Sequence, residues 1–203
     1  MKRAISVLLA AALSVAAGTA GAADNALTPE EEAEGWVLLF DGESMNGWTV
    51  RGGPEWEVVD GTIRGYRSSG NFAMATVESF ADFHLKVDFW ISETANSEIL
   101  FRGPAEGPLS PGNAYGANID DNHELFITGG LTFIQNADAV VKTIGQWNTF
   151  EVIADGPHIV TMVNGIKTID IVDDRYSSGV IGLQYALSRS GELKFRNIKL
   201  RRL

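Results

Sequence analysis

The sequence of 203 residues contains no cysteine. This absence excludes a disulfide framework, thiolate metal sites and a cysteine nucleophile. A chain of this length can bury a substantial core without covalent cross-links. We therefore expect a fold that depends on packing alone.

Basic residues are scarce. The chain has 16 Lys and Arg residues against 26 Asp and Glu residues, for a formal net charge of -10. An acidic surface repels phosphate backbones and anionic membranes, so we expect no nucleic-acid partner.

Long hydrophobic runs are also missing beyond the N-terminus. Residues 1–3 are Met-Lys-Arg, residues 4–17 are mostly Ala, Leu and Val, and Ala20-Gly21-Ala22 forms a small-residue cleavage pattern. The apolar run is shorter than the roughly 20 residues that a transmembrane helix needs. The order of charge, apolar core and cleavage pattern predicts a signal peptide over residues 1–23 and a secreted or periplasmic protein. We expect no membrane insertion after its removal.

Apolar residues do not recur with helical spacing in the rest of the chain. They alternate with polar ones instead, most clearly in residues 82–91, where Phe83, Leu85, Val87, Phe89 and Ile91 share one face. Alternation of this kind is typical of half-buried strands. The same reasoning predicts strands over residues 98–102, 114–120, 147–154, 158–163, 167–172, 180–185 and 192–203.

Turn residues separate these segments. Asn164-Gly165 lies between two β-rich runs and predicts a hairpin. Short strands without intervening helices favour a sandwich or barrel. We expect one domain over residues 35–203, preceded by an acidic lead-in over residues 24–34 that is flexible or forms a single helical turn.

Several phrases together resemble one family. They stand in the family's order and cover the whole chain after the leader: Gly-Trp-Val-Leu-Leu-Phe-Asp-Gly at 35–42, Trp-Glu-Val-Val-Asp-Gly-Thr-Ile at 56–63, Asn-Ser-Glu-Ile-Leu-Phe-Arg at 96–102, Val-Asn-Gly at 163–165, Ile-Gly-Leu-Gln at 181–184 and Phe-Arg-Asn-Ile at 195–198. This set is similar to the 3-keto-disaccharide hydrolase family. The resemblance implies an all-β, concanavalin A-like jelly-roll sandwich of two antiparallel sheets. It also implies cleavage of the glycosidic bond of sugars whose C3 is a ketone.

A C3 ketone acidifies the proton on C2, because the resulting carbanion delocalises into the carbonyl. Cleavage then needs a general base for this proton, a hydrogen-bonding partner for the enolate oxygen and an acid for the leaving group. This requirement differs from the paired carboxylates of ordinary glycosidases.

The resemblance also assigns roles to particular residues. Arg102, Asn118 and Gln184 would orient the keto-sugar, and Asp120 matches a motif carboxylate. The family's motif glutamate, however, is replaced by Gly116, which supplies no side chain. Because glycine has no carboxyl group, position 116 cannot supply the acid or base of the family's usual route.

Glu98 offers a compensation. The family usually has glycine at this position, and alternation places Glu98 on the same face as Asn96 and Arg102. We hypothesise that the two strands are neighbours and that Glu98 restores the carboxylate missing at Gly116. The alternative is an exposed glutamate at a strand edge beside an inactive or altered site.

Other residues are candidates for sugar contacts. Asn96 shares the face of Glu98, and the aromatic rings of Trp90 and Tyr115 are suited to stacking on a pyranose. His123 lies in an acidic loop that favours a solvated turn over a cation site. No cofactor or metal site is predicted. The sequence does not decide whether a divalent cation binds.

Three classes of function therefore compete. The first is an exported hydrolase or lyase of 3-keto-glycosides, with Glu98 and Asp120 as acid/base candidates. The second is a non-catalytic carbohydrate-binding module of the cell envelope. The third is a structural or interaction protein without a pocket. The jelly roll serves the first two roles, so the fold alone does not separate them.

Overall fold

The computed structural model describes residues 23–52, 55–67, 72–185 and 191–203. Nearly all of the predicted signal peptide lies outside these residues. Within the described ranges, no helix has the length and apolar character needed to cross a membrane.

The described residues form two antiparallel sheets and one short helix. The elements in chain order are α1 (Pro29–Ala33), β1 (Trp36–Leu38), β2 (Trp48–Arg51), β3 (Glu55–Val59), β4 (Thr62–Arg67), β5 (Phe72–Phe80), β6 (Phe83–Ile91), β7 (Ser97–Gly103), β8 (Tyr115–Ile119), β9 (Trp147–Asp155), β10 (His158–Val163), β11 (Ile166–Val172), β12 (Gly179–Tyr185) and β13 (Leu193–Arg202).

The larger sheet has the strand order β11-β10-β9-β6-β13-β4-β3, and β1 also pairs with β13. The smaller sheet has the order β2-β5-β12-β7-β8. Neighbours that are distant in the chain, such as β12 between β5 and β7, give the crossed connections of a jelly roll. The predicted all-β sandwich of two antiparallel sheets is confirmed.

The core lies between the two sheets. The apolar positions of β6, from Phe83 to Ile91, are buried, and the intervening polar positions are only partly covered. This pattern follows from the two-residue repeat of a strand with one face against a core. The smaller sheet contributes Ile99, Phe101 and Leu183 to the same core.

Asn164 and Gly165 form the predicted hairpin between β10 and β11. Their φ angles are 52° and 75°, both in the left-handed region, and Val163 pairs with Ile166 on either side. Asparagine and glycine tolerate this region better than other residues, which is why the pair favours tight hairpins. The hairpin prediction is confirmed.

The acidic lead-in lies against the large sheet and contains the single helical turn α1. Thr28 caps α1 through a capping box with Glu31. Glu31 forms an ion pair with Lys199 of β13. Asn25 exchanges two backbone-to-side-chain hydrogen bonds with Asn197, of 2.5 and 2.8 Å.

The long connection between β8 and β9 folds back along the outer edge of β8. The backbone N–H of Asn118 donates to the carbonyl of Gly130, and that of Thr132 donates to Gly116, both at 2.9 Å. Asp121 fixes the connection because its carboxylate accepts hydrogen bonds from Thr128 and Thr143. The connection therefore forms one wall over the face of the small sheet that is turned away from the core.

Candidate functional site

A cavity of about 380 Å³ opens on this outer face of the small sheet. It lies over β7, β8 and β12, between the loop from β7 to β8 and the connection from β8 to β9. Its lining residues are Asn96, Glu98, Ser110, Pro111, Gly112, Asn118, His123, Leu125, Phe126, Thr132, Phe133 and Gln184.

Glu98 is the buried carboxyl group of this cavity. Its residue is only 4% exposed. One carboxylate oxygen, Oε1, accepts a hydrogen bond of 2.5 Å from the Thr132 hydroxyl, whereas Oε2 is buried and has no hydrogen-bond partner in the described part of the chain. Burial raises the pKa of Glu98 to about 7, and the Thr132 hydrogen bond opposes this rise. Such a group exchanges a proton readily near neutral pH.

Gly116 provides the space that the Glu98 carboxylate occupies. A Cβ atom placed on Gly116 would lie 2.9 Å from Glu98 Oε2 and 3.1 Å from Glu98 Cδ. Pairing of Glu98 with Asn118 brings β7 and β8 side by side, as the sequence hypothesis required. The carboxylate therefore reaches across Gly116 from the neighbouring strand to Thr132.

Three amide side chains share the cavity with Glu98. Asn118 and Gln184 are almost fully buried, and Asn96 is partly buried. The Asn118 side chain also donates to the carbonyl of Phe126, so it fastens the overlying connection to the sheet. The structure thus brings together four of the predicted site residues.

His123 adds an imidazole that the sequence did not assign to the site. Its Nδ1 accepts hydrogen bonds from the backbone N–H groups of Leu125 and Phe126, at 3.2 and 3.0 Å. Two donors facing Nδ1 assign the ring hydrogen of the neutral imidazole to Nε2. Nε2 is then the nitrogen left to donate to a ligand.

Asp120 lies behind the cavity wall. Its carboxylate accepts a hydrogen bond of 2.9 Å from the Asn96 side chain and another of 2.9 Å from the backbone of Asn122. In this position Asp120 orients Asn96 and is not itself among the lining residues.

The predicted position of Arg102 in the groove is wrong. Leu100 and Gly103 of β7 pair with Gly182 and Val180 of β12, so β7 carries one extra residue at a bulge. Arg102 has a φ of 54° there, and the bulge breaks the strict alternation on which the prediction rested.

The Arg102 guanidinium group is consequently buried elsewhere. It donates to the carbonyls of Ala81, Gly156 and Tyr176 and contacts the Asp82 carboxylate at 3.1 Å. These contacts connect the β5–β6, β9–β10 and β11–β12 loops, so Arg102 has a structural role.

Trp90 and Tyr115, the predicted sugar contacts, lie outside the cavity lining. Trp90 belongs to β6 of the large sheet, where Lys194 lies 5.1 Å from its ring centroid. Tyr115 points into the core, stacks on Phe101 and donates to the Asp173 carboxylate at 2.6 Å. Burial, with the neighbouring Asp173, raises the pKa of Tyr115 to about 12.

The sequence analysis missed the residues that the β8–β9 connection contributes. Thr132 and Phe133 follow Gly129-Gly130, and Leu125 and Phe126 follow His123. Their apolar residues do not recur with the spacing of a strand or a helix. The sequence pattern therefore does not predict on which side of the chain these side chains lie. The one available signal was a group of large apolar residues inside a segment rich in Asp, Asn and Gly.

The sequence model of the family described as 3-keto-alpha-glucoside-1,2-lyase-like domain matches residues 35–201. The chain belongs to this family. The match spans both sheets and every lining residue of the cavity, so the resemblance expected from the sequence is confirmed.

A relative with a curated name is the 3-keto-disaccharide hydrolase of Bacteroides thetaiotaomicron. It is 28% identical over 81 residues, which cover 34% of this chain and 28% of the relative. The aligned stretch is therefore less than a third of that protein.

Two solved structures share the fold. A candidate glycosyl hydrolase from Parabacteroides distasonis is 24% identical with a TM-score of 0.77, covering 89% of this chain and all of that one. A carbohydrate-binding module from Bacillus subtilis is 22% identical with a TM-score of 0.60, covering 76% of this chain and 95% of that one.

The described residues hold no group of three or more His, Asp and Glu side chains suited to a metal ion.

Proposed function

We propose that this chain cleaves the glycosidic bond of 3-keto-glycosides by elimination, with Glu98 as the general base. The observation that carries the proposal is the Glu98 carboxyl group, buried in the cavity over the small sheet. Its Oε1 is held by Thr132, and its Oε2 has no hydrogen-bond partner among the residues that the structure describes. An unpartnered, desolvated oxygen is a stronger base than a solvated one. The family description and the name of the Bacteroides thetaiotaomicron relative support the same substrate class.

The proposed reaction begins at C2 of the oxidised sugar. Glu98 Oε2 takes the C2 proton, and the C–H electron pair forms a C2–C3 double bond while the ketone oxygen becomes an enolate. The enolate electrons then return to re-form the ketone, the C1–C2 double bond forms and the C1–O bond breaks. The leaving oxygen takes a proton, and addition of water across C1–C2 gives the free keto-sugar.

One carboxyl group is sufficient for this route. Ordinary glycosidases need two, because an acid and a nucleophile or base act on opposite sides of an oxocarbenium-like centre. In the elimination, the ketone supplies the electron sink. The protonated Glu98 produced by the first step can return its proton to the leaving oxygen.

Hydrogen-bond donors would stabilise the enolate oxygen. His123, through Nε2–H, and the amide groups of Asn118 and Gln184 line the same cavity as Glu98. Donors of this kind strengthen their bonds as negative charge develops, and in a desolvated site each contributes on the order of 10²-fold to the rate.

The first experiment is product analysis with 3-keto-disaccharides and their unoxidised parents. We expect cleavage of the keto forms alone and, in heavy water, deuterium incorporation at C2 of recovered substrate. Glu98→Gln should reduce both by about 10²–10⁴-fold. Glu106→Gln, which changes an exposed carboxylate in the β7–β8 loop, is the matched control and should match the wild type.

Two outcomes would contradict this proposal. Full activity of Glu98→Gln would show that Glu98 is not the general base. Binding of keto-sugars without cleavage or deuterium exchange would identify a carbohydrate-binding module instead.

We also propose that the chain is exported, from the basic, apolar and small-residue order of residues 1–22. N-terminal sequencing of the protein recovered from periplasmic and medium fractions tests this. A mature end at Ala23 or Asp24 supports export, whereas an intact Met1 in a cytoplasmic fraction contradicts it.

A further inference from the structure

The cavity has an apolar rim above its polar floor. Leu125 and Phe133 line the cavity, and each is 67% exposed, which is unusual for large hydrophobic side chains. Phe126 and Pro111 complete the apolar lining. Adjacent exposed hydrophobic groups at a pocket mark a surface that a ligand covers.

The backbone of Phe133 is held in an unfavourable conformation. Its φ is 65°, in the left-handed region that bulky residues rarely adopt. The flanking residues fix it, since Thr132 N–H donates to Gly116 at 2.9 Å and the N–H groups of Ile134 and Gln135 both donate to Leu131 at 3.0 Å. Strain of this kind concentrates at ligand sites, where surrounding contacts maintain it.

The Phe133 ring is also oriented by a neighbour. It meets Phe126 edge to face, with ring centroids 6.1 Å apart and an interplanar angle of 84°. Phe126 in turn is tied to the sheet through its carbonyl, which accepts from Asn118. The rim is therefore fixed relative to the floor that holds Glu98.

The chemistry of the rim selects one class of occupant. Side chains of Leu, Phe and Pro have no hydrogen-bonding atoms. A second sugar could place a C–H face on Phe133, but its hydroxyl groups beside Leu125 and Pro111 would lose water without replacement partners. An aromatic ring has no such groups to desolvate, and it packs favourably on Phe133 and Leu125.

We propose that the site is specific for glycosides whose aglycone is an aromatic ring. The oxidised sugar lies on the polar floor beside Glu98, and the aromatic aglycone covers Leu125 and Phe133. This inference rests on the proposed function, because it assumes that the floor holds a 3-keto-sugar. It adds a substrate class that the family description does not contain.

The test compares two ligands that share one sugar, phenyl and methyl 3-keto-α-D-glucopyranoside. Dissociation constants are measured calorimetrically on Glu98→Gln, in which turnover is expected to be about 10²–10⁴-fold slower, so that binding is measured apart from the better leaving ability of phenol. We expect the phenyl compound to bind about 10- to 100-fold more tightly, as burial of a phenyl ring in an apolar subsite predicts.

Adding Phe133→Ala or Leu125→Ala to this background should lower the phenyl-to-methyl affinity ratio toward 1. The control is Val140→Ala, which shortens an equally exposed side chain outside the cavity lining and should leave the ratio unchanged. Thermal unfolding checks that each variant is folded, and the two rim variants test the same subsite independently.

The outcomes separate the two proposals. Equal affinity for both ligands, or a ratio that neither rim variant changes, overturns the aromatic-aglycone inference and leaves the keto-glycoside function standing. Absence of binding by either ligand overturns both.

Discussion

The Glu98 carboxylate lies directly over Gly116 on the neighbouring strand. A Cβ atom at Gly116 would stand 2.9 Å from Glu98 Oε2, closer than carbon and oxygen approach without displacement. The glycine at one position and the glutamate at the other therefore depend on each other for space. This relationship shows how the cavity obtains a carboxyl group from β7 although Gly116 supplies no side chain from β8.

Replacing Gly116 with alanine should displace the Glu98 carboxylate. The added methyl group cannot be accommodated unless Glu98 Oε2 and Pro111 Cβ, both 2.9 Å from it, move by a few tenths of an ångström. Since a displacement of about 1 Å at a reacting group costs on the order of 10²-fold in rate, a shift of this size should cost on the order of 10-fold. We expect kcat on 3-keto-glycosides to fall by this order, with a smaller change in KM. Steady-state kinetics check this.

Gly112→Ala is the matched control for this change. Gly112 also lines the cavity, but a Cβ atom there would meet only Ser110 Oγ at 3.5 Å, an ordinary contact distance. A similar loss of kcat in both variants would contradict the specific role of the Glu98–Gly116 contact.

Glu98 should make the folded protein less stable as pH rises. Its pKa is about 7 in the folded state against an ordinary value of 4.5, so the folded state binds this proton more tightly than the unfolded chain. By linkage, the free energy of unfolding falls between pH 4.5 and 7, by up to about 3 kcal/mol. Glu98→Gln removes this dependence.

Denaturant unfolding of both proteins at pH 4 and pH 8 measures the effect. We expect the stability of Glu98→Gln relative to the wild type to increase from the lower to the higher pH. A pH-independent difference would show that the carboxyl group is not desolvated in solution.

Thr132 should set the pH at which the proposed activity appears. Its hydroxyl group donates to Glu98 Oε1 and favours the ionised form. Thr132→Val removes a hydrogen bond to a charged group, worth roughly 1.5–3 kcal/mol, and should raise the Glu98 pKa by about 1–2 units. The acidic limb of the expected activity profile should rise through about pH 7 in the wild type and should move upward by this amount in Thr132→Val.

The pH dependence of kcat/KM gives this readout. Thr132→Ser retains the hydroxyl group and is expected to keep the wild-type profile. Identical profiles for the valine and wild-type proteins would show that Thr132 does not influence the pKa of the titrating group.

The sequence predicted the sheets well because alternation and turn residues are local signals. The β6 pattern and the Asn164-Gly165 hairpin depend only on neighbouring residues, and both stand as predicted. Cross-strand proximity of Glu98 and Gly116 could also be predicted, since one loop connects their strands.

The remaining site depends on features without a local signal. A bulge in β7 turns Arg102 away from the cavity, and one extra residue in a strand leaves no mark on the apolar pattern. Thr132 and Phe133 reach the cavity through a connection whose course is set by Asp121 and by backbone hydrogen bonds to β8. Neither arrangement follows from periodicity.

Arg102 should contribute to stability and not to the chemistry of the cavity. Its guanidinium group is buried among three carbonyls and Asp82. Arg102→Met leaves these acceptors unsatisfied, so we expect a loss of about 3–5 kcal/mol in the free energy of unfolding. The pH dependence of kcat/KM in the folded fraction should stay as in the wild type. A changed profile would show that Arg102 influences the groups that titrate in the cavity.

Moving the carboxyl group between strands tests the exchange of Glu98 and Gly116 directly. Glu98→Gly removes the base and should lower kcat by about 10²–10⁴-fold. It also vacates the space beside Gly116, because Glu98 supplies two of the three closest atoms to a Cβ atom at that position. The third is Cβ of Pro111, at 2.9 Å, which lies in the β7–β8 loop and must move by a few tenths of an ångström.

The double variant Glu98→Gly, Gly116→Glu then places a carboxyl group in the same cavity from β8. We expect it to recover at least 10-fold of the activity lost in Glu98→Gly, whereas Gly116→Glu alone should be inactive because two carboxyl groups compete for one space. If activity recovers in the double variant only, the two positions are energetically coupled, because the effects of independent sites would add. Equal activity of Glu98→Gly and the double variant would mean that the cavity requires the carboxylate from β7, held by Thr132, and not merely a carboxylate.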